Sequence, residues 1–195
     1  GAYVGVFLDR ARSAGFHVDG TEVCHWALAY AKKTFDFSLY DSFHVPSTVQ
    51  KGLYDVVVAC DVMEHVLHPS EFFQAIHATL KPGGYFYFTT LRQDSIAARV
   101  WGSRWHQYMI MHKTFFRKKD LLLYAKKYGF RVIWMRPHVR YLSVGYFFSK
   151  VCSLFHVDKF VKGTRPQTGI MRAIAQMLLP IIFFDITNVL MQKIE

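Results

Sequence analysis

Three cysteines in 195 residues, Cys24, Cys60 and Cys152, set the first bound on this chain. They are widely spaced, odd in number and include no Cys-x-x-Cys pair, so neither a disulfide framework nor a cysteine-based zinc site is implied. That usage favours a reducing compartment, and a cytoplasmic location is expected. Long apolar runs are missing as well. The most hydrophobic tract, residues 170–191, is interrupted by Arg172, Gln176, Pro180, Asp185 and Asn188. No run there reaches the roughly 18 apolar residues that a spanning helix needs, and a buried helix plus strand is expected instead. No signal peptide is visible, but the sequence opens at Gly1 rather than methionine, so it is expected to be a fragment.

Acidic residues are scarce in one half only. Residues 1–100 hold 8 Lys and Arg against 10 Asp and Glu, whereas residues 101–195 hold 16 against 4, giving the formal net charge of +10. A basic half suits an anionic substrate, a peripheral membrane contact or a plain solvated surface, and no nucleic-acid partner is expected. A hydrophobic content of 52% with 17% aromatics excludes disorder. The length fits one domain, residues 1–195. Within it, 1–91 would form a cofactor-binding half, and 92–195 a substrate-side cap with C-terminal helices and the last strands. Oligomeric state is not legible.

The stretch Tyr54-Asp55-Val56-Val57-Val58-Ala59-Cys60-Asp61-Val62-Met63-Glu64-His65 organises the rest. Its apolar run does not alternate, which suits a strand covered on both faces of a parallel sheet. Ligands collect beyond the carboxyl ends of such strands, where Cys60, Asp61, Glu64 and His65 would stand. Upstream, Gly1 to Gly5 reads as a turn entering a helix that stops at Gly15. His17 to Glu22 reads as a strand, Trp26 to Lys33 as a helix and Phe35 to Tyr40 as a third strand. Downstream come a helix from Pro69 or Ser70 to about Leu80, the breaker Lys81-Pro82-Gly83-Gly84 and the strand Tyr85 to Thr90. Residues 92–116 read as an insertion over the ligand edge. A basic helix from Arg117 to Tyr128 and a strand Phe130 to Trp134 follow. Residues 141–179 read as two helices joined at Gly163–Pro166 and ended by Pro180, and Ile186 to Met191 as the last strand. Alternation at this spacing predicts an α/β protein: a Rossmann-like, open, mostly parallel sheet with helices on both faces. Its first strand would precede Gly1.

The ordered series Gly1-x-x-x-Gly5-x-Phe7-Leu8, Val18-Asp19-Gly20-Thr21-Glu22, Tyr54-Asp55-Val56-Val57, Glu64-His65 and Leu80-Lys81-Pro82-Gly83-Gly84 resembles the class I S-adenosylmethionine (SAM)-dependent methyltransferases. The branch is that of the ubiquinone-pathway O-methyltransferases and of sugar and natural-product methyltransferases. Trp101-Gly102-Ser103-Arg104-Trp105, His112-Lys113-Thr114-Phe115-Phe116 and Tyr128-Gly129-Phe130 continue the likeness, which spans about residues 1–135. It implies an antiparallel last strand and SAM as cofactor. It further implies Gly1 and Gly5 at the cofactor's close approach, Glu22 on the ribose hydroxyls, Asp41 or Ser42 near adenine, and Cys60 near the methionine end. Tyr3 departs from the pattern by standing where the family has its second glycine. The expected reaction is methyl transfer, to an oxygen of a small-molecule, glycan or lipid-linked acceptor.

Two readings from other classes stay open beside it. The glycine turn and Glu22 also suit an NAD(P)-dependent enzyme, and Tyr3 suits a catalytically silent module of the same fold. For a hydroxyl acceptor, His65 is the first candidate base and His112 or His106 the second, since imidazole titrates in the useful range. Capping a helix or loop is the alternative role for each histidine. Asp61, Glu64 and His65 offer oxygen and imidazole ligands to a divalent metal. Trp101, Trp105 and Tyr108 would stack on a flat acceptor or fill a core. Arg117-Lys118-Lys119 and Lys126-Lys127 would form a solvated helix face or meet a phosphate-bearing acceptor.

Overall fold

The structure, a computed structural model, describes residues 1–42, 52–145 and 176–194. Residues 1–3 run beside the short strand β1 (Thr21–Glu22), with Ala2 N–H donating to the Thr21 carbonyl at 2.8 Å. Tyr3 and Gly5 both adopt left-handed backbone, φ 49° and 86°, and turn the chain into α1 (Val6–Ser13). Gly5 is needed for room as well as for its φ, because a Cβ there would lie 3.3 Å from the Phe37 ring. Helix α2 (His25–Phe35) leads to β2 (Tyr40–Asp41), which pairs with β1 in parallel and sets Glu22 opposite Asp41. Both strands are shorter than the pattern predicts. Helix α2 runs on through Phe35 because Phe35 and Phe37 pack with Leu8, Ala31 and Leu39 in a small core. Asp36, left-handed at φ 57°, then turns the chain.

The second sheet follows the order β3-β4-β6-β5. Strands β3 (Tyr54–Ala59) and β4 (Leu80–Leu91) run parallel, and β6 (Leu178–Lys193) lies antiparallel on β4, as expected of the last strand. Beyond β6 lies β5 (Phe130–Ser143). Between β3 and β4 come a 3-10 turn at Met63–His65 and α3 (Pro69–Thr79). Between β4 and β5 come α4 (Ile96–Trp101), a 3-10 turn at Gly102–Arg104 and α5 (Lys118–Lys127). The Lys-Pro-Gly-Gly breaker follows the end of α3 as expected, but lies inside β4 rather than ahead of it. Pairing jumps from Tyr54–Leu80 to Val56–Tyr85, so residues 81–84 bulge out of β4. Gly83 takes φ 74° at that bulge, and Lys81 Nζ reaches the Asp55 carboxylate at 2.8 and 2.9 Å.

Helices α3 and α5 cover one face of this sheet. Phe73 of α3 is fully buried at the centre and meets the rings of Phe86, Phe88 and Phe130 at 5.9 to 6.2 Å, edge to face. Tyr128 stacks on it at 6.0 Å. Such contacts add to the area that each ring buries. The other face differs from expectation. Val56 and Val58 of β3 are 49% and 37% exposed, and Tyr85 beside Val56 is 40% exposed. Burial on both faces therefore fails for β3 within the described residues. Only its Val57 and Ala59 side meets the core, and among the described residues it pairs with β4 alone.

Contacts divide the chain into two compact units, residues 1–136 with 185–195, and residues 137–184. The helices expected over 141–179 are corrected at both ends. Tyr141–Ser143 belong to β5, and Leu178 onward, Pro180 included, to β6. The run Ile181-Ile182-Phe183-Phe184 has the β-branched and aromatic make-up that favours a strand. The expected loop at Gly163–Pro166 lies outside the described residues. Among the described residues no helix is long and apolar enough to cross a membrane.

Truncating the central ring should cost most. Phe73→Ala is expected to destabilise the protein by about 3–5 kcal/mol, the usual loss for a buried aromatic. Denaturant unfolding measures it, and a loss under about 1 kcal/mol would mean that the core does not depend on this ring.

Candidate active site

At the carboxyl end of β1, Glu22 is 8% exposed and collects three backbone donors. Tyr3 N–H reaches Oε2 at 2.7 Å, and Val23 and Cys24 N–H reach Oε1 at 2.9 and 3.0 Å. Desolvation pushes this carboxyl up, but the donors from Cys24, Tyr3 and Val23 outweigh it and hold it below its usual 4.5. Glu22 therefore stays ionised, an acceptor with lone pairs to spare for vicinal hydroxyls. Gly1 sits where a Cβ would lie 2.9 Å from Val62 Cγ2, so a side chain there is sterically excluded. Tyr3 holds the left-handed conformation that glycine adopts freely, and its exposed ring lies 6.4 Å from Trp26. Ser42 N–H donates to the Glu22 carbonyl at 3.2 Å, while the Asp41 carboxylate lies 3.6 Å from His25 Nδ1. The strand pairing thus gathers Glu22, Asp41 and Ser42 at one end of the small sheet, with Tyr3 N–H tied to Glu22, while Gly1 lies against Val62 and Gly5 against Phe37.

The second cluster forms past the end of β3. Cys60 is reachable by solvent, yet partial burial and the Asp61 and Glu64 carboxylates push its thiol up, so it is no ready nucleophile. Asp61 turns away in left-handed backbone. Its N–H donates to Thr89 Oγ1 at 2.7 Å, and Thr89 Oγ1 donates to its carboxylate at 2.9 Å. Glu64 is 4% exposed, and its Oε2 has no hydrogen-bond partner among the described residues. Burial pushes this carboxyl up, and Asp61 adds to the rise.

His65 and His112 meet here, ring centroids 5.1 Å apart. Each has its Nδ1 against a backbone carbonyl: His65 on Met111 at 2.9 Å, His112 on Gln107 at 2.7 Å. A carbonyl only accepts, so Nδ1 carries the proton in both rings and Nε2 is left as the acceptor. Carboxylate and imidazole atoms of Glu64, His65 and His112 all lie within 4.8 Å of one another. The sequence reading placed Asp61 in this ligand set; the fold replaces it with His112. Asp61 is drawn off by Thr89, and Lys113 and Thr114 N–H bring His112 in by donating to the Glu64 carbonyl at 2.7 and 3.1 Å.

The other candidates lie elsewhere. His106 is 3.9 Å from the Asp185 carboxylate, which also accepts from Trp105 Nε1 at 3.1 Å. Trp105 is 1% exposed and belongs to the core, so it offers no stacking face, whereas Trp101 and Tyr108 are 51% and 44% exposed. The carbonyls of Met111 and Gln107 that fix the two histidines carry no side-chain signal. Nothing in the sequence pattern finds them.

Two predictions follow from the small-sheet cluster. The folded Glu22 carboxyl titrates below its unfolded value, so its contribution to stability is present above the ordinary carboxylate range and fades as pH falls through the depressed value. Glu22→Gln should flatten the acid limb of a thermal-midpoint profile and weaken binding of S-adenosylhomocysteine (SAH) about tenfold or more; an unchanged profile and affinity would contradict this role. At Tyr3, left-handed backbone costs about 1–2 kcal/mol in a side-chain-bearing residue. Tyr3→Gly is expected to raise the thermal midpoint modestly, and a fall of several degrees in calorimetry would show that the ring's contacts outweigh the strain.

Comparison with known proteins gives this geometry a family. A model described as "Methyltransferase domain" matches residues 1–134. A ubiquinone biosynthesis O-methyltransferase of Paraburkholderia xenovorans is 27% identical over 141 residues, 65% of this chain and 60% of that protein. The chain thus spans less than two thirds of that relative. Among solved structures, a SAM-dependent methyltransferase of Methanosarcina mazei superposes with a TM-score of 0.63 at 15% identity, over 100% of this chain and 90% of the other. One from Mesorhizobium loti does so at 0.60 and 14% identity, over 99% and 88%. At such identities the superpositions speak for the fold, and the family match covers more than half of the chain. The chain belongs to the methyltransferase-domain family, with the Rossmann-like α/β fold of the class I SAM-dependent methyltransferases.

Proposed function

We propose that this protein transfers a methyl group from SAM to a hydroxyl oxygen of an acceptor, with His65 as the base. The observation that carries the reading is the pair of histidines with Nδ1 tied to carbonyls and Nε2 without a hydrogen bond among the described residues, beside the buried Glu64 past the end of β3. SAM supplies a methyl group on a sulfonium already activated for in-line displacement. The protein's tasks are then positioning and proton removal. Glu22 holds the ribose hydroxyls, Gly1 and Gly5 give the backbone its close approach, and Asp41 and Ser42 border the adenine. Cys60 borders the methionine end. His65 Nε2 takes the proton as the acceptor oxygen forms its bond to the methyl carbon, and His112 lies against that ring to hold it. Family membership favours SAM over a dinucleotide.

A second reading of the same cluster has its own support. One carboxylate and two imidazoles within 4.8 Å, with an unpartnered buried carboxylate oxygen, are a fitting donor set for a divalent cation. Glu64, His65 and His112 would hold the ion, which would polarise the acceptor hydroxyl. The relative named as a ubiquinone biosynthesis O-methyltransferase supports an oxygen acceptor. Ile96, Val100 and Ile110, exposed at 70%, 74% and 90%, support an apolar, lipid-linked acceptor over a glycan, or a peripheral membrane contact. The sparse cysteines support a cytoplasmic setting.

His65→Ala is expected to lower the methylation rate of a phenolic acceptor about 10²–10⁴-fold while SAH affinity by calorimetry stays within twofold. His112→Ala should cost less. An unaltered rate in His65→Ala removes the base assignment, and absence of SAH binding removes the reading as a whole. Chelation separates the two versions: if EDTA abolishes the rate and Mg²⁺ or Mn²⁺ restores it, the cluster is a metal site, and if the rate is indifferent to EDTA, His65 acts directly.

A further inference from the structure

A second polar site lies at the same edge of the sheet, past the end of β4. Asp94, Arg99, Arg117, Lys118, Lys119 and Leu122 line a recess of about 420 Å³. Its floor is Asp94, whose carboxylate accepts from Arg92 Nε at 2.9 Å and from Lys118 N–H at 3.1 Å. Desolvation raises this carboxyl, but Arg92 and the Lys118 amide outweigh it and hold it below the usual range, so it stays charged and satisfied. It also ties the segment after β4 to the start of α5, which sets Arg99 of α4 beside the lysines of α5. Arg117 is engaged by Asp120 through Nε at 2.9 Å. Arg99, Lys118 and Lys119 form no salt bridge among the described residues, and Lys119 acts on Asp120 only from beyond that distance.

We propose that this recess binds a phosphate or diphosphate group. Three cations that form no salt bridge among the described residues line one recess and repel one another, and an anion between them converts that repulsion into charge-assisted hydrogen bonds. Lys118 and Lys119 also occupy the first turn of α5, where cations oppose the helix dipole, a local conflict that an anion relieves. The rim is apolar. Leu122, 46% exposed, lines the recess, and Ile96, 70% exposed, stands one helical turn before Arg99 on α4. A phosphate that carries a hydrophobic group fits both features. That the phosphate belongs to the methyl acceptor rests on the methyltransferase reading; the anion site itself does not.

Inorganic pyrophosphate is the probe for the headgroup, titrated by calorimetry into the full chain. Binding that weakens as salt is raised is expected, and the double variant Arg99→Ala/Lys119→Ala should lose about tenfold or more in affinity. SAH affinity and the thermal midpoint of that variant should stay unchanged, since both side chains are exposed. Flotation with phosphatidylcholine vesicles, with and without phosphatidic acid, distinguishes the source. Binding to pyrophosphate places the phosphate on a soluble acceptor, and binding only to phosphatidic acid vesicles places it on a lipid. No binding to either probe, or equal binding by the double variant, overturns the proposal. A protein that takes SAH but neither phosphate probe loses this site and keeps the methyltransferase reading. One that takes pyrophosphate but not SAH does the reverse.

Discussion

Two peptide N–H groups, those of Lys113 and Thr114, converge on the carbonyl of Glu64, and the candidate site depends on that junction. Residues 64 and 113 are far apart in the chain and belong to segments that follow different strands. The junction fixes the loop after β4 against the 3-10 turn after β3, and Thr114 Oγ1 strengthens it by donating to the Val66 carbonyl. With the backbone so held, His112 falls edge-on against His65. The Met111 carbonyl, on the same loop, closes on His65 Nδ1. One loop thus delivers a second histidine and fixes the tautomer of the first. Neither would be in place if the loop were attached elsewhere.

The same junction explains why Glu64 is unusual. Its main chain is committed to the loop while its side chain is carried into the interior, where Oε2 finds no donor. A buried carboxylate without a partner is costly, and proteins keep such groups mainly where chemistry uses them. Glu22 is the opposite case. Equally buried, it is saturated by three amides and stays charged. Two carboxylates of one chain are driven in opposite directions, one by desolvation that outweighs a single backbone donor and the other by donors that overcome desolvation. The Glu22 end is built to accept hydroxyls, and the Glu64 end to hold a proton or an ion.

The basic half of the chain is no uniform cationic coat. Several of its charges are spoken for: Arg117 by Asp120, and Lys193 by the carbonyls of His77 and Leu80. A concentrated group lies around Asp94, where one half-buried carboxylate ties the segment after β4 to the start of α5 and cations of α4 and α5 line a common space. Arg99, Lys118 and Lys119 form no salt bridge among the described residues, which gives the recess its electrostatic character.

Much of the fold was legible in the sequence, because the interactions that carry it are local. Gly15 and Gly129 lie at helix ends, the aromatic run 85–90 makes a strand, and α1, α2, α3 and α5 lie within a few residues of where periodicity put them. The identities of Glu22, Glu64 and His65, standing after strands, followed from the same patterns. Three things were decided only by tertiary structure. Val56 and Val58 face solvent because burial depends on neighbours that periodicity does not name. Residues 178–184 are strand because an extended backbone was open to them as well as a helical one, and propensity alone could not choose. Asp61 left the ligand set and His112 joined it because main-chain hydrogen bonds across 49 residues, from Lys113 back to Glu64, settle which side chains meet. Such bonds are made by the backbone, which is chemically the same at every residue, so the sequence carries no mark of them.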